Sequence, residues 1–379
     1  MATEPVTQAP EDLDGEAILS VEGVAKAYGD TTAVRELSFA VEAGELLTLL
    51  GPSGCGKTTT LRLIAGLERP DAGRIVLEGE VVATPDRSVR PEHRDVGIVF
   101  QDFALFPHMT VAENVAFGLN GTPTAERANR VAELLELVDL TGYEDDRPDE
   151  LSGGQRQRVA LARSLAPEPS VILLDEPFSN LDESQRVRMR EDVRRILKAA
   201  GVTAISVTHD QEEAMSIADR VGVMCDGHLE QIGHPEAVFQ QPRSRFVADF
   251  LGHASFLPGR VDGDVVETGI GPIPTEQIHG LSPAYADTEL DVLVRPDDIT
   301  ALSAPPERAD GRVSYRRYLG PSILYRVELE GGDTVECLHN HSDQVDLDEP
   351  VSIHLTAEHR LAWFPKEGDL AGYTQPTDV

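Results

Sequence analysis

The sequence predicts an α/β core followed by a smaller all-β unit. Over residues 18–250, short buried apolar runs alternate with helical stretches, the pattern of a parallel sheet covered on both faces. Beyond about residue 250 the texture changes to short alternating segments punctuated by Gly, Pro and Asp, which reads as a small β-barrel or sandwich. The longest apolar runs, such as residues 46–50, are of strand length, far from the roughly 18 residues that span a bilayer. With 379 residues the chain suits two or three domains and needs no disulfide or metal staple.

In order along the chain, residues 1–14 carry four acids and no base. They lack the basic flank of a signal peptide, and residues 1–17 read as a disordered lead-in. Residues 18–41 read as strands, residues 46–50 as a buried strand bounded by glycines, and residues 58–67 as a helix. Strand character returns at 74–77 and 96–100, and a more polar, helix-rich region spans 110–165. Residues 171–174 and 203–208 read as two further buried strands, separated by a helix over 183–199. Six short segments, 255–261, 291–294, 312–318, 322–329, 334–338 and 351–355, make up the all-β unit.

Charge is the compositional outlier. There are 66 acids against 33 Lys and Arg, a net charge of −33, and the only lysines are Lys26, Lys57, Lys198 and Lys366. An acid-rich, lysine-poor surface stays hydrated in molar salt, where a Debye length of about 3 Å screens its self-repulsion. This reads as a halophile's cytosol; an ordinary acidic protein is the alternative. Either way, non-specific binding to nucleic acid or to an anionic membrane is disfavoured. Cys55, Cys225 and Cys337 are scattered without metal-ligand spacing, which fits a reducing compartment.

Residues 51–58 read Gly51-Pro52-Ser53-Gly54-Cys55-Gly56-Lys57-Thr58, a full GxxxxGK[ST] match between a buried strand and a helix. Backbone N–H groups wrap a phosphate only where no Cβ intrudes, and the following helix N-terminus adds to the attraction. Lys57 is expected to reach the β- and γ-phosphates, and the Thr58 hydroxyl to ligate Mg²⁺. Asp175 and Glu176 end the buried run 171–174. An acid there is costly unless it serves a cation. Alone the pair would read as solvated acids; beside a complete phosphate loop, Asp175 is expected to hold Mg²⁺ and Glu176 to orient or deprotonate an attacking water.

Residues 151–155 read Leu151-Ser152-Gly153-Gly154-Gln155. With this signature between the loop and the acidic strand end, residues 18–245 resemble the ATP-binding subunit of an ABC (ATP-binding cassette) transporter. The resemblance implies a P-loop ATPase core with a helical subdomain, binding ATP and Mg²⁺ and hydrolysing ATP between two copies packed head to tail. It implies that Gly51 to Thr59, through Pro52, Ser53, Gly54, Cys55, Gly56, Lys57 and Thr58, hold nucleotide in one copy, while Ser152, Gly153, Gly154 and Gln155 face it from the other. Tyr28 would stack on adenine. Gln101 would contact Mg²⁺ and the attacking water, and His209 the γ-phosphate. Ser179-Asn180-Leu181-Asp182 matches the loop that crosses to the partner, although the family more often has Ala at the second place. The apolar stretch after Gln101 (Phe103, Leu105, Phe106, Met109) lies where family members receive the permease.

Residues 250–379 resemble the OB-like TOBE domain of importer ATPases through Leu293-Val294-Arg295-Pro296-Asp297-Asp298-Ile299. In relatives that domain aids dimerisation or binds a regulatory ligand. The resemblance then implies a separate permease, an extracytoplasmic solute-binding protein that meets the chain only indirectly, and a peripheral place on the cytoplasmic face of the membrane. Residues 103–109, 317–321 and 338–341 look most like the ferric-iron branch; polyamine, sugar and anion importers are the alternatives. His339 and His341, two apart on a strand, share a face and read as a polar strand end rather than a metal site. The competing class is a soluble cassette protein acting on ribosomes or DNA, which usually carries two cassettes or a long coiled coil; the chain has one phosphate loop, one signature and no sustained heptads.

Overall fold

The computed structural model describes residues 17–119, 121–282, 285–342 and 344–366. The expected lead-in thus lies almost wholly outside the described residues. Two compact units divide the chain, one up to Pro235 and one from Glu236. The second begins earlier than the change of texture near residue 250 indicates, because residues just before that change pack into its core.

The first unit opens with an antiparallel hairpin, β1 (Ala17–Tyr28) and β2 (Thr31–Glu42), paired from Tyr28–Thr31 to Ala17–Glu42 with register shifts along its length. Next come β3 (Leu46–Leu50), α1 (Lys57–Ala65), β4 (Ala72–Leu77), β5 (Glu80–Ala83) and β6 (Val96–Val99). The helical stretch is α2 (Val111–Ala116), α3 (Thr124–Leu137) and α4 (Gly153–Leu165). The unit continues with β7 (Val171–Asp175), α5 (Glu183–Ala200), β8 (Thr203–Thr208), α6 (Gln211–Ile217), β9 (Arg220–Cys225) and β10 (His228–Gly233).

These strands make two sheets. One is antiparallel in the order β2-β1-β4-β5; the other runs β10-β9-β3-β8-β7-β6, parallel throughout except for β10 at its edge. The early strands leave the parallel sheet because a two-residue turn at Gly29-Asp30 returns the chain directly beside itself, and only antiparallel strands can be joined that way. Residues 46–50, 171–174 and 203–208 are buried at every position, as expected of parallel strands covered on both faces.

Parallel strands put their C-terminal ends on one edge of the sheet, and in open α/β sheets that edge is where ligands bind. β3, β8 and β7 are neighbours. The loops leaving them carry, in turn, residues 51–56, His209 and Glu176.

The second unit holds α7 (Pro235–Gln240), α8 (Arg245–Phe250), β11 (Ser255–Asp262), β12 (Val265–Thr268), β13 (Gly271–Pro274), β14 (Glu289–Val294) and β15 (Ile299–Ser303). It ends with β16 (Gly311–Tyr318), β17 (Ser322–Leu329), β18 (Thr334–Asn340), β19 (Pro350–Leu355) and β20 (Trp363–Pro365). Two antiparallel sheets, β13-β12-β11-β14-β20 and β15-β19-β16-β17-β18, bury one core that includes Val292, Tyr325, Val327 and Trp363. Ala248 of α8 packs with Leu293, Ala362 and Phe364, and Arg245 pairs with Asp291 at 2.5 Å, which explains the earlier boundary. Among the described residues no helix is long and apolar enough to cross a membrane.

Candidate functional site

The phosphate loop sits where β3 leaves the sheet, and packing explains two of its glycines. A Cβ on Gly51 would stand 2.3 Å from the Met224 carbonyl oxygen. Gly56 has φ +103°, and a Cβ there would stand 2.3 Å from the Ala33 carbonyl oxygen. Both positions exclude a side chain, which leaves the concave backbone that a phosphate requires. The Lys57 side chain is buried and folds back over the loop, donating to Gly51 O at 2.7 Å and Pro52 O at 2.9 Å. Its stem thus places an ammonium at the mouth of the same loop.

Thr58 and Asp175 meet: the Thr58 hydroxyl donates to Asp175 Oδ1 at 3.3 Å. Burial, with the Glu176 carboxylate adding to it, pushes the Asp175 carboxyl above its usual range. A hydroxyl and a half-buried carboxylate side by side, facing a phosphate cradle, are a donor set that fits Mg²⁺. A bound cation would offset the desolvation that raises Asp175.

Glu176 and His209 also meet, with Glu176 Oε1 and His209 Nδ1 3.2 Å apart. Glu176 adopts φ +44°, a left-handed conformation unfavourable for a residue with a Cβ. Its N–H donates to Val207 O at 3.1 Å, and its own carbonyl accepts from Ser179 N–H and Oγ at 3.3 and 2.9 Å. The turn aims the carboxylate off the end of β7 beside the end of β8.

Other expected residues are placed as follows. Tyr28 is 45% exposed, with Lys26 Nζ 5.5 Å from its ring centre. Burial and the neighbouring Glu68 push its phenol up, opposed by a hydrogen bond with Thr59, so the ring stands beside the phosphate loop. Gln101 is exposed after β6, and its backbone carbonyl accepts from Asn180 Nδ2 at 2.7 Å. Asp182 caps α5, accepting from Gln185 N–H at 2.9 Å and Ser184 Oγ at 2.8 Å, and these bonds hold its carboxyl low. Ser152 and Gln155 form a reciprocal capping box at the start of α4 and bond to each other rather than to the phosphate loop. A Cβ on Gly153 would stand 3.0 Å from Leu181 Cδ2 and one on Gly154 2.7 Å from Met189 Cε, so the start of α4 packs closely on Leu181 and on Met189 of α5. The signature and the phosphate loop are therefore separate surfaces of one chain.

Two expectations are corrected. Phe103 is buried, so the exposed aromatics of that region are Phe100 and Phe117, the latter packed on Phe106 with ring centres 4.4 Å apart. His339 and His341, read as a polar strand end, do not share a face. His339 is buried and its Nε2 accepts from Ala301 N–H at 3.0 Å, whereas His341 is exposed with Nδ1 3.2 Å from Pro321 O.

Sequence reasoning missed four residues. Arg94 is buried and donates to Leu63 O at 2.8 Å and Val89 O at 3.0 Å, closing the C-terminal end of α1; burial pushes its guanidinium down to about 10. Arg163 of α4 donates to Ala104 O at 2.7 Å and Phe103 O at 3.0 Å. Glu213 of α6 is 3% exposed, and its Oε2 accepts from Thr208 Oγ1 at 2.8 Å. The fourth is the bonding role of Asn180, which the sequence marks only as a departure from the family's Ala. Nothing local marks the other three; each of the four acts on a partner remote in sequence or hidden by the fold.

The ABC transporter family model matches residues 34–179 and the TOBE domain model residues 292–363. The chain is 45% identical to the Fe(3+) ions import ATP-binding protein FbpC of Agrobacterium fabrum, covering 82% of this chain and 88% of that protein. It is 44% identical to the spermidine/putrescine import ATP-binding protein PotA of Chromobacterium violaceum, covering 85% and 91%. Among solved structures, cbiO1 from Clostridium perfringens, part of the ABC transporter complex cbiONQ, superimposes with a TM-score of 0.54 at 32% identity, covering 59% of this chain and 90% of that one. An ATP-binding cassette solved as a dimer in a post-hydrolysis state with ADP and Pi superimposes at 0.50 and 31% identity, covering 57% and 98%.

Proposed function

The chain belongs to the ATP-binding import subunits of ABC transporters, and we propose that it hydrolyses ATP between two copies of itself to drive ferric-iron uptake through separate permease subunits. The observation that carries the reading is the convergence of Lys57, Thr58, Asp175, Glu176 and His209 on the ends of three neighbouring parallel strands. Lys57 and the loop N–H groups neutralise and orient the β- and γ-phosphates. Thr58 and Asp175, with Gln101 as a further contact, would hold Mg²⁺, which would supply positive charge to the phosphates when bound. Glu176 orients the attacking water and takes its proton, while His209 fixes the Glu176 carboxylate and reaches the γ-phosphate.

The separation of the Ser152–Gln155 surface from the phosphate loop supports a head-to-tail pair, in which each copy completes the other's site. ATP then acts as the adhesive, and loss of phosphate releases it, a two-state switch driven by one ligand. Asp182 and the loop before it lie beside that surface. The chain works peripherally, on the cytoplasmic face of the membrane, and the extracytoplasmic binding protein reaches it only through the permease. The acid-rich composition suits this machinery to molar salt.

The iron-import relative supports ferric iron as the solute; the polyamine-import relative makes spermidine or putrescine the second reading. The test is uptake of labelled ferric iron and labelled spermidine in a deletion strain carrying either the wild-type gene or Glu176→Gln. Loss of iron uptake alone supports the iron reading; loss of spermidine uptake alone replaces the solute. For the purified protein in molar KCl, Glu176→Gln should bind ATP, form a dimer by light scattering and turn over about 10²-fold more slowly than wild type. Near-normal turnover would remove Glu176 from its role.

A further inference from the structure

Gln101 and Glu176 leave different strands, β6 and β7, yet both are reached by one short loop. Ser179 holds the Glu176 carbonyl through N–H and Oγ at 3.3 and 2.9 Å. The next residue, Asn180, donates from Nδ2 to the Gln101 carbonyl at 2.7 Å. On its far side, the segment after Gln101 passes through two consecutive left-handed residues, Phe103 at φ +63° and Ala104 at +45°. Their carbonyls are taken by Arg163 Nη2 at 3.0 Å and Nη1 at 2.7 Å. A strained, partly exposed backbone returns to extended conformations unless its surroundings over-determine it. Here two side chains do so, one from α4 and one from the loop ending at Asp182.

We propose that Asn180 is a positioning residue for hydrolysis: its carboxamide ties the loop of residues 179–182 to the Gln101 backbone, so that the Gln101 side chain is correctly placed only when that loop is. Asn180 acts through Gln101, whose backbone carbonyl it holds. A displacement of the 179–182 loop would therefore be transmitted to Gln101 through one hydrogen bond, and to Glu176 through Ser179. The inference rests on the reading of Gln101 as a contact for metal and water.

The test is a double-mutant cycle on the full-length chain, with steady-state Mg-ATP hydrolysis as the readout. A neutral hydrogen bond sets a positioned fraction within about 2- to 10-fold. Asn180→Ala should therefore lower kcat by about 2- to 10-fold while KM for ATP stays within about twofold. Asn180→Asp, of the same shape but unable to donate, should lose at least as much and covers the case in which the alanine variant folds poorly. In a Gln101→Ala background, Asn180→Ala should change kcat by less than about 1.5-fold, because the path it acts through is gone. Multiplicative losses in the double variant, or wild-type kcat in Asn180→Asp, would overturn the proposal and leave the role of Gln101 intact. Wild-type kcat in Gln101→Ala would overturn the Gln101 reading and the proposal together.

Discussion

The two units handle difficult backbone and buried charge differently. In the first unit, Glu36, Glu78, Phe103, Ala104, Glu168 and Glu176 adopt left-handed backbone, although none has the short polar side chain that makes that conformation cheap. Three of these six, Phe103, Ala104 and Glu176, lie in loops at the candidate site. In the second unit, the described non-glycine residues with positive φ are Asp287 and Asp348, the residue type that tolerates it. The first unit buries ionisable groups at its functional edge, with Asp175 and Glu213 both raised by burial. The second unit's buried acid, Asp298, is also raised by burial, but it accepts from Arg295 N–H at 2.8 Å and lies 2.9 Å from His359 Nε2. Left-handed loop residues beside buried carboxylates at one sheet edge point to chemistry, whereas a buried acid held by a backbone N–H and a histidine points to architecture.

The largest test of this contrast compares two glycines with similar backbone. Gly56 at φ +103° has the Ala33 carbonyl in the way of a Cβ; Gly320 at +94° has open space. Gly56→Ala should abolish ATP binding by calorimetry, since the loop must move to admit the methyl. Gly320→Ala should keep ATP affinity and cost only about 1–2 kcal/mol of stability. Equal effects would mean that backbone conformation, rather than the crowded cradle, sets the glycine requirement.

A smaller effect is expected at Glu213. Its Oε1 has no hydrogen-bond partner, and burial pushes its carboxyl up to about 8, with Asp210 and Glu176 raising it and Arg190 opposing. The unfolded chain releases this proton near 4.5, so between about 4.5 and 8 the native state holds a proton that the unfolded state has lost. Stability contributed here therefore falls as pH rises through that window, by on the order of a few kcal/mol. Glu213→Gln should flatten the fall in Tm between pH 5 and pH 8. A wild-type slope in the variant would assign the pH dependence elsewhere.

The smallest effect sharpens the comparison from the other side. Asp298→Ala removes a paired acid whose partner His359 is partly exposed and can return to water. It should lower stability by about 1–3 kcal/mol and leave ATP affinity unchanged. Loss of ATP affinity would show that the second unit's polar cluster is not purely architectural.

Much of the candidate site was legible before any coordinates. The cradle, its lysine and the Thr58 ligand lie in one run of eight residues, and contiguous chemistry survives reading one residue at a time. Asp175 and Glu176 were legible because acids ending a buried apolar run are costly without a purpose. What sequence alone determined is therefore local: which residues bear chemistry, and which stretches are buried strand or helix. Pairing was decided only by the tertiary structure. Strand order set β7, β8 and β3 side by side and so brought Thr58 to Asp175, across 117 positions, and Glu176 to His209. It also buried Phe103 and His339, which in sequence read like surface residues, and gave Asn180 its hold on Gln101, 79 positions away. A periodicity reports which face of an element is apolar. It carries no information about which remote carbonyl or carboxylate that face meets, because that depends on the packing of the whole domain.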